Sequence, residues 1–70
     1  MIVQEFLDNL MSLDPRELEG FKELVVQDNG WETVIFINNK ETEAFPIFKN
    51  FKILETKNYN GIVVLKVSAF

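Results

Sequence analysis

Residues 21–37 read FKELVVQDNGWETVIFI, two apolar runs separated by Asn29-Gly30. An Asn-Gly pair between two such runs is the strongest short-range signal for a β-hairpin closed by a two-residue turn. We therefore predict one strand over residues 21–28 and another over residues 31–37. The register that follows pairs Asp28 with Trp31, Val26 with Thr33, Val25 with Val34, Leu24 with Ile35, Glu23 with Phe36 and Lys22 with Ile37.

A second hairpin is predicted downstream, where residues 51–70 read FKILETKNYNGIVVLKVSAF. Asn60-Gly61 supplies its turn. Its register sets Glu55 directly opposite Lys66, and a cross-strand pair of opposite charges supports that alignment. The remaining predicted pairs are Tyr59 with Ile62, Thr56 with Leu65, Leu54 with Val67 and Phe51 with Phe70.

Upstream of both hairpins, the sequence predicts an amphipathic helix over residues 2–12. Its apolar residues recur at intervals of three and four positions, which places them on one face of an α-helix. Acidic residues in its early turns suit the positive end of the helix dipole. The apolar positions are Val3, Phe6, Leu7, Leu10 and Met11.

Residues 14–27 are open to two interpretations. Asp14, Pro15 and Glu17 form a helix-start signal, because Asp caps a helix, Pro suits its first position and Glu completes a capping box. One interpretation ends this helix after a short turn at residues 15–19 and then starts the first strand. The other continues the helix to about Gln27 despite Gly20, which costs about 1 kcal/mol inside a helix.

The predicted fold is one α+β domain over residues 1–70. Its N-terminal amphipathic helix packs on a four-stranded antiparallel sheet made of the two Asn-Gly hairpins. The alternative, with the longer second helix, is two helices plus three strands. A chain of 70 residues suits a single domain, and a core of this size leaves a stability margin of about 3–5 kcal/mol.

The composition leaves out the residues of common active sites. The chain has no histidine and no cysteine, so the usual nucleophile–base pairs, zinc sites and disulfides cannot be built. No phosphate-binding glycine loop occurs. We therefore expect a protein that is not an enzyme and that uses no cofactor or metal.

The start of the sequence argues against a signal peptide. The first residues have no basic region of the kind that begins a signal peptide. No apolar run approaches the ~18 residues that a membrane-spanning helix needs. We therefore expect a cytoplasmic protein without membrane contact.

The stretch FPIFKNFK, residues 45–52, interleaves aromatic residues with lysines. This pattern suits core packing, a protein contact, or single-stranded nucleic-acid binding, in which rings stack on bases beside phosphate-binding cations. The net charge of −4 argues against a nucleic-acid partner, because binding to phosphates depends on a concentration of positive charge. Nucleic-acid binding through Phe45–Lys52 is therefore the third hypothesis for function.

The two hairpins carry more apolar side chains than one helix can cover. A helix is about 10 Å wide, whereas four strands span roughly 15–20 Å. An antiparallel sheet with one solvated face should be polar on that face, yet both predicted faces are apolar. We therefore predict a protein interface on the second face, unless residues 38–50 fold back over it. The predicted interface residues are Val25, Val34, Phe36, Phe45, Phe48, Phe51, Ile53, Ile62, Val64 and Phe70.

Charge is divided unevenly along the chain. Residues 1–35 carry a net charge of −6 and residues 36–70 carry +2. An acidic surface on the first half would attract a basic groove that otherwise holds nucleic acid. Its predicted members are Glu5, Asp8, Glu17, Glu19, Glu23 and Asp28.

These observations predict a small acidic protein-binding domain. Size and charge make it analogous to the dedicated inhibitors and adaptors that phages and mobile elements encode. The expected partner is another protein, and a homodimer is the expected state of the chain. Self-assembly as a homo-oligomeric structural protein is the second hypothesis.

Overall fold

The computed structural model describes residues 1–69 and shows short helices packed on one sheet. The α+β class is confirmed. In chain order the elements are α1 (Val3–Met11), α2 (Pro15–Leu18), β1 (Glu23–Asp28), β2 (Trp31–Ile37), β3 (Lys40–Glu41), α3 (Phe45–Phe48), β4 (Lys52–Tyr59) and β5 (Ile62–Ser68).

The sheet has five strands in the order β3-β2-β1-β5-β4, and it is mixed because β1 and β5 run parallel. The predicted four-stranded antiparallel sheet is therefore wrong in strand number and in direction. The parallel contact places two strongly apolar strands, ELVVQD and IVVLKVS, side by side in the interior of the sheet. The polar strand β4 is left at an edge, where charges oppose pairing with other chains.

Both Asn-Gly pairs close a hairpin. The φ angles are 50° and 87° at Asn29 and Gly30, and 53° and 91° at Asn60 and Gly61. Positive φ at both positions is what a type I′ turn requires. The pairs next to the turns, Asp28 with Trp31 and Tyr59 with Ile62, are those predicted.

A β-bulge shifts the first hairpin beyond Val25, which pairs with Val34 as predicted. Ile35 is the extra residue, because Leu24 pairs with Phe36. The bulge lets two consecutive side chains of β2, Ile35 and Phe36, enter the core, which an undistorted strand cannot do. The predicted pairs Leu24 with Ile35, Glu23 with Phe36 and Lys22 with Ile37 are therefore wrong.

The residues after β2 explain how the bulge is held. Asn38 and Asn39 have φ angles of 55° and 62° and turn the chain into β3, a third hairpin that the sequence reading missed. Thr42 then donates from its backbone N–H to the Ile35 carbonyl at 2.9 Å and from its hydroxyl to the Val34 carbonyl at 2.7 Å. Two carbonyls beside the bulge thus gain partners.

A second bulge interrupts the other hairpin. Thr56 pairs with Leu65 and Glu55 with Lys66 as predicted, but Ile53 rather than Leu54 pairs with Val67. Leu54 is the extra residue, and its side chain is exposed. The predicted pair of Phe51 with Phe70 lies partly outside the described residues.

Helix α1 lies within the predicted residues 2–12. Its first N–H groups, which have no partner inside a helix, donate to the segment before β4: Val3 to the Phe51 carbonyl at 3.0 Å and Gln4 to the Lys49 carbonyl at 2.8 Å. Glu5 Oε1 accepts from the Ile2 N–H at 2.9 Å. Ile2 also forms a bridge to Lys52, which ties the start of the chain to β4.

The short interpretation of residues 14–27 is confirmed. Asp14 Oδ1 accepts from the Arg16 N–H at 2.9 Å, and α2 ends at Leu18. The alternative of two helices plus three strands is wrong, because residues 23–28 form β1.

The stretch FPIFKNFK begins as the single helical turn α3 and leads into β4. Phe45 is buried in the core, and Phe48 meets Phe51 edge to face with ring centroids 5.0 Å apart. The core joins α1, α3 and one face of the sheet. Its buried members are Val3, Leu7, Leu24, Val26, Ile35, Phe36, Phe45, Val63, Leu65 and Val67.

Candidate functional site

The sheet has one covered face and one open face. Directly paired residues on neighbouring strands project to the same face. Leu24 pairs with Phe36 on one side and with Val63 on the other, and all three belong to the core with α1 and α3. This is the covered face.

Val25 pairs with Val34 and Val64, and none of the three belongs to the core. The same alternation and pairing add Ile37 and Ile62, each paired with Glu23. We call these five apolar residues the open face: Val25, Val34, Ile37, Ile62 and Val64.

Within residues 1–69, no helix packs on the open face. The two helices with buried residues, α1 and α3, both place them in the core of the covered face. Val25 is only 6% exposed, while the other four members remain partly exposed. The alternative that residues 38–50 fold over this face does not hold, because Phe45 directs α3 to the opposite side.

Charged and polar side chains surround the open face. Glu32 pairs with Gln27 at the end of the sheet next to the first turn, and Gln27 pairs with Lys66. Lys66 in turn pairs with Glu55, whose Oε1 lies 3.9 Å from the Lys57 Nζ. We call these side chains, together with Glu23, Lys40 and Tyr59, the rim.

The structure divides the predicted interface residues between the two faces. Val25, Val34, Ile62 and Val64 come together on the open face. The remaining described ones pack in or against the core of the covered face, and Phe70 lies outside the described residues. The residues on the covered side are Phe36, Phe45, Phe48, Phe51 and Ile53.

The predicted acidic surface is also divided. Glu5 and Asp8 lie on exposed positions of α1, on the covered side of the sheet, and Glu17 and Glu19 lie at α2. Glu23 projects to the other side, on the rim, and Asp28 lies at the first turn. The six acids therefore do not form one patch.

Sequence reasoning missed Ile37 and the exposed position of Trp31. The predicted register, which pairs Leu24 with Ile35 and Lys22 with Ile37, puts Ile37 on the same face as Leu24. The bulge at Ile35 moves it to the open face. Trp31 pairs with Asp28 beside the turn and is 78% exposed. No sequence signal marks the bulge itself, whereas an Asn-Gly turn next to Trp31 does place that residue at the end of a hairpin.

A second apolar surface lies between α1 and the edge strand β4. It is a groove of about 470 Å³ lined by Met1, Phe6, Asn9, Leu10, Leu13, Ile53 and Thr56. It forms because α1 does not extend over the outer edge of the sheet. Its volume is in the range of a small-ligand pocket.

Other kinds of site are not found among residues 1–69. No three acidic side chains there are grouped so as to hold a metal ion. None of the helices in that part of the chain is long and apolar enough to cross a membrane.

Comparison with known proteins adds no further assignment. No protein-family model, no curated protein and no solved structure matches the chain.

Proposed function

We propose that this protein is a non-catalytic protein-binding module whose open face is the binding surface. One observation carries the proposal: five apolar side chains share a sheet face on which no helix packs. An apolar patch with a polar boundary is a common mark of a protein–protein interaction site. The rim supplies that polar boundary.

The rim supports the same function. Interfaces combine an apolar centre with a polar periphery that stays hydrated and orients the partner. Valine and isoleucine at the centre give a flat and rigid surface, since β-branched side chains have few rotamers. This protein's side chains therefore lose little conformational freedom when a partner binds.

Two features weigh against nucleic-acid binding through Phe45–Lys52. Phe45 is buried, and Phe48 and Phe51 pack on each other and on the core. Their rings are therefore not arranged as free stacking platforms for bases.

Site-specific photo-crosslinking in the cells that make the protein tests the proposal. A benzophenone amino acid is placed at Val34 on the open face and, in a matched variant, at Ile47 on α3. Ile47 is 66% exposed and lies on the covered side. We expect a discrete protein adduct from position 34 and none from position 47. Equal yields at both positions, or no adduct from position 34, would refute the proposal.

A further inference from the structure

We propose that the partner of the open face is a second copy of this chain, bound face to face about a two-fold axis parallel to β1. This inference rests on the proposed function and specifies its partner. It comes from the arrangement of residues across the open face and its rim.

The apolar residues are symmetric about β1. Val34 on β2 and Val64 on β5 both pair with Val25 of the central strand β1. Ile37 and Ile62 are related in the same way through Glu23. A two-fold axis along β1 therefore brings Val34 of one copy over Val64 of the other.

The same axis aligns Ile37 with Ile62 of the second copy. Val25 then lies against its own counterpart at the centre. Two sheets that pack in this way bury their facing side chains in a layer about 10 Å thick. The four partly exposed apolar residues of each copy thus leave water together.

The charges are complementary in this orientation. Glu32 on β2 and Lys66 on β5 both pair with Gln27 of β1. The axis therefore places Glu32 of each copy opposite Lys66 of the other and forms two equivalent pairs. Opposite charges at such positions fix the orientation of an interface more than they increase its affinity.

Other two-fold axes in the plane of the sheet give poorer matches. An axis between β1 and β5 places Glu32 opposite Glu55 and Val34 opposite Lys57. An axis across the strands through Val25 places Lys57 opposite itself. Of these three axes, the one along β1 alone superposes apolar residues on apolar residues and Glu32 on Lys66, with Glu23 facing its counterpart as an unfavourable pair.

The small area of the open face indicates a weak dimer. Four strands at a spacing of about 4.8 Å and five residues at about 3.3 Å give a footprint of roughly 300 Å². Stable interfaces bury about 800 Å² on each partner. We therefore infer a dimer that dissociates on dilution rather than a permanent one.

The test uses two charge reversals, Glu32→Lys and Lys66→Glu, and sedimentation across a dilution series. The wild-type chain should pass from dimer to monomer, and each variant alone should dimerise at least tenfold more weakly, because like charges then face each other twice. An equimolar mixture of the two variants should regain wild-type association, since both charge pairs are restored between unlike chains.

Matched controls are Glu19→Lys and Lys49→Glu, which change the same charges at exposed positions away from the open face. Each control variant alone, and an equimolar mixture of the two, should dimerise as the wild-type chain does. Thermal melts of each variant by circular dichroism show that it is folded, since Lys66→Glu also removes the cross-strand pair with Glu55.

Three outcomes overturn the inference: a wild-type monomer at the highest soluble concentration, single variants that dimerise as the wild type does, or a mixture that stays monomeric. The crosslinking experiment distinguishes a failure of the self-pairing inference from a failure of the proposed function. An adduct from position 34 with the mass of a different protein refutes self-pairing and leaves the binding module in place.

Discussion

Val63 and Val64 are neighbours in β5, yet they lie on opposite faces of the sheet. Val63 is buried in the covered face with α1 and α3 above the sheet, whereas Val64 lies on the open face and is only partly buried. The two residues have the same side chain, strand and backbone conformation, so only what packs above the sheet distinguishes them. The covered face supplies most of the folding free energy, and the open face keeps apolar area in contact with water.

The largest expected effect is on the covered face. Leu65 is completely buried, and Leu→Ala at such a site costs about 2–5 kcal/mol. A domain of this size has a margin of about 3–5 kcal/mol, so we expect Leu65→Ala to be largely unfolded. Urea denaturation followed by circular dichroism measures this, and a variant with near wild-type stability would contradict the assignment of the core.

A smaller effect compares the two faces directly through Val63→Ala and Val64→Ala. At about 0.8 kcal/mol for each buried CH₂ group, Val63→Ala should cost about 1.5 kcal/mol. Val64→Ala should cost less than about half of that at low protein concentration, because its side chain stays partly in water. Equal losses in urea denaturation would mean that both faces are covered in the folded chain.

The smallest effect is expected on the rim. Glu55 and Lys57 are each 52% exposed and 3.9 Å apart, and exposed ion pairs contribute about 0–1 kcal/mol. Glu55→Gln should therefore change the unfolding free energy by less than about 0.5 kcal/mol, measured by the same denaturation at low salt. A loss above 1 kcal/mol would show that the rim contributes to the stability of the fold.

The two faces also show which residues the sequence pattern could place and which it could not. The pattern of apolar residues predicted that both faces of the hairpins are apolar, and four predicted interface residues do share the open face. Ile37 was missed because a bulge reverses the alternation after Ile35. The bulge forms because Thr42 supplies hydrogen bonds and because Ile35 and Phe36 both enter the core, and neither cause is local to the strand.

In the FPIFKNFK stretch, too, contacts with distant segments decide what each residue does. Its aromatic residues are suited by type to a core, an interface or a stack of bases. The structure places Phe45 in the core and uses the backbone carbonyls of Lys49 and Phe51 to accept from the first N–H groups of α1. The two hydrogen bonds join residues that lie 45 and 48 positions apart in the sequence, so no local pattern predicts them.

The sequence by itself determined the local elements of this protein: the amphipathic helix, the helical turn capped by Asp14, and the two Asn-Gly turns. These follow from residue spacing and backbone preference over a few positions. The tertiary structure decided how the hairpins join and which face the helices cover. It also decided whether each turn has space for a side chain at its glycine. Gly30 and Gly61 have the same local signal and similar positive φ angles, but a Cβ at Gly61 would collide with the Gly20 carbonyl, whereas Gly30 faces open space. The physical reason is that such contacts form between segments distant in sequence, and only their packing in the complete fold brings them together.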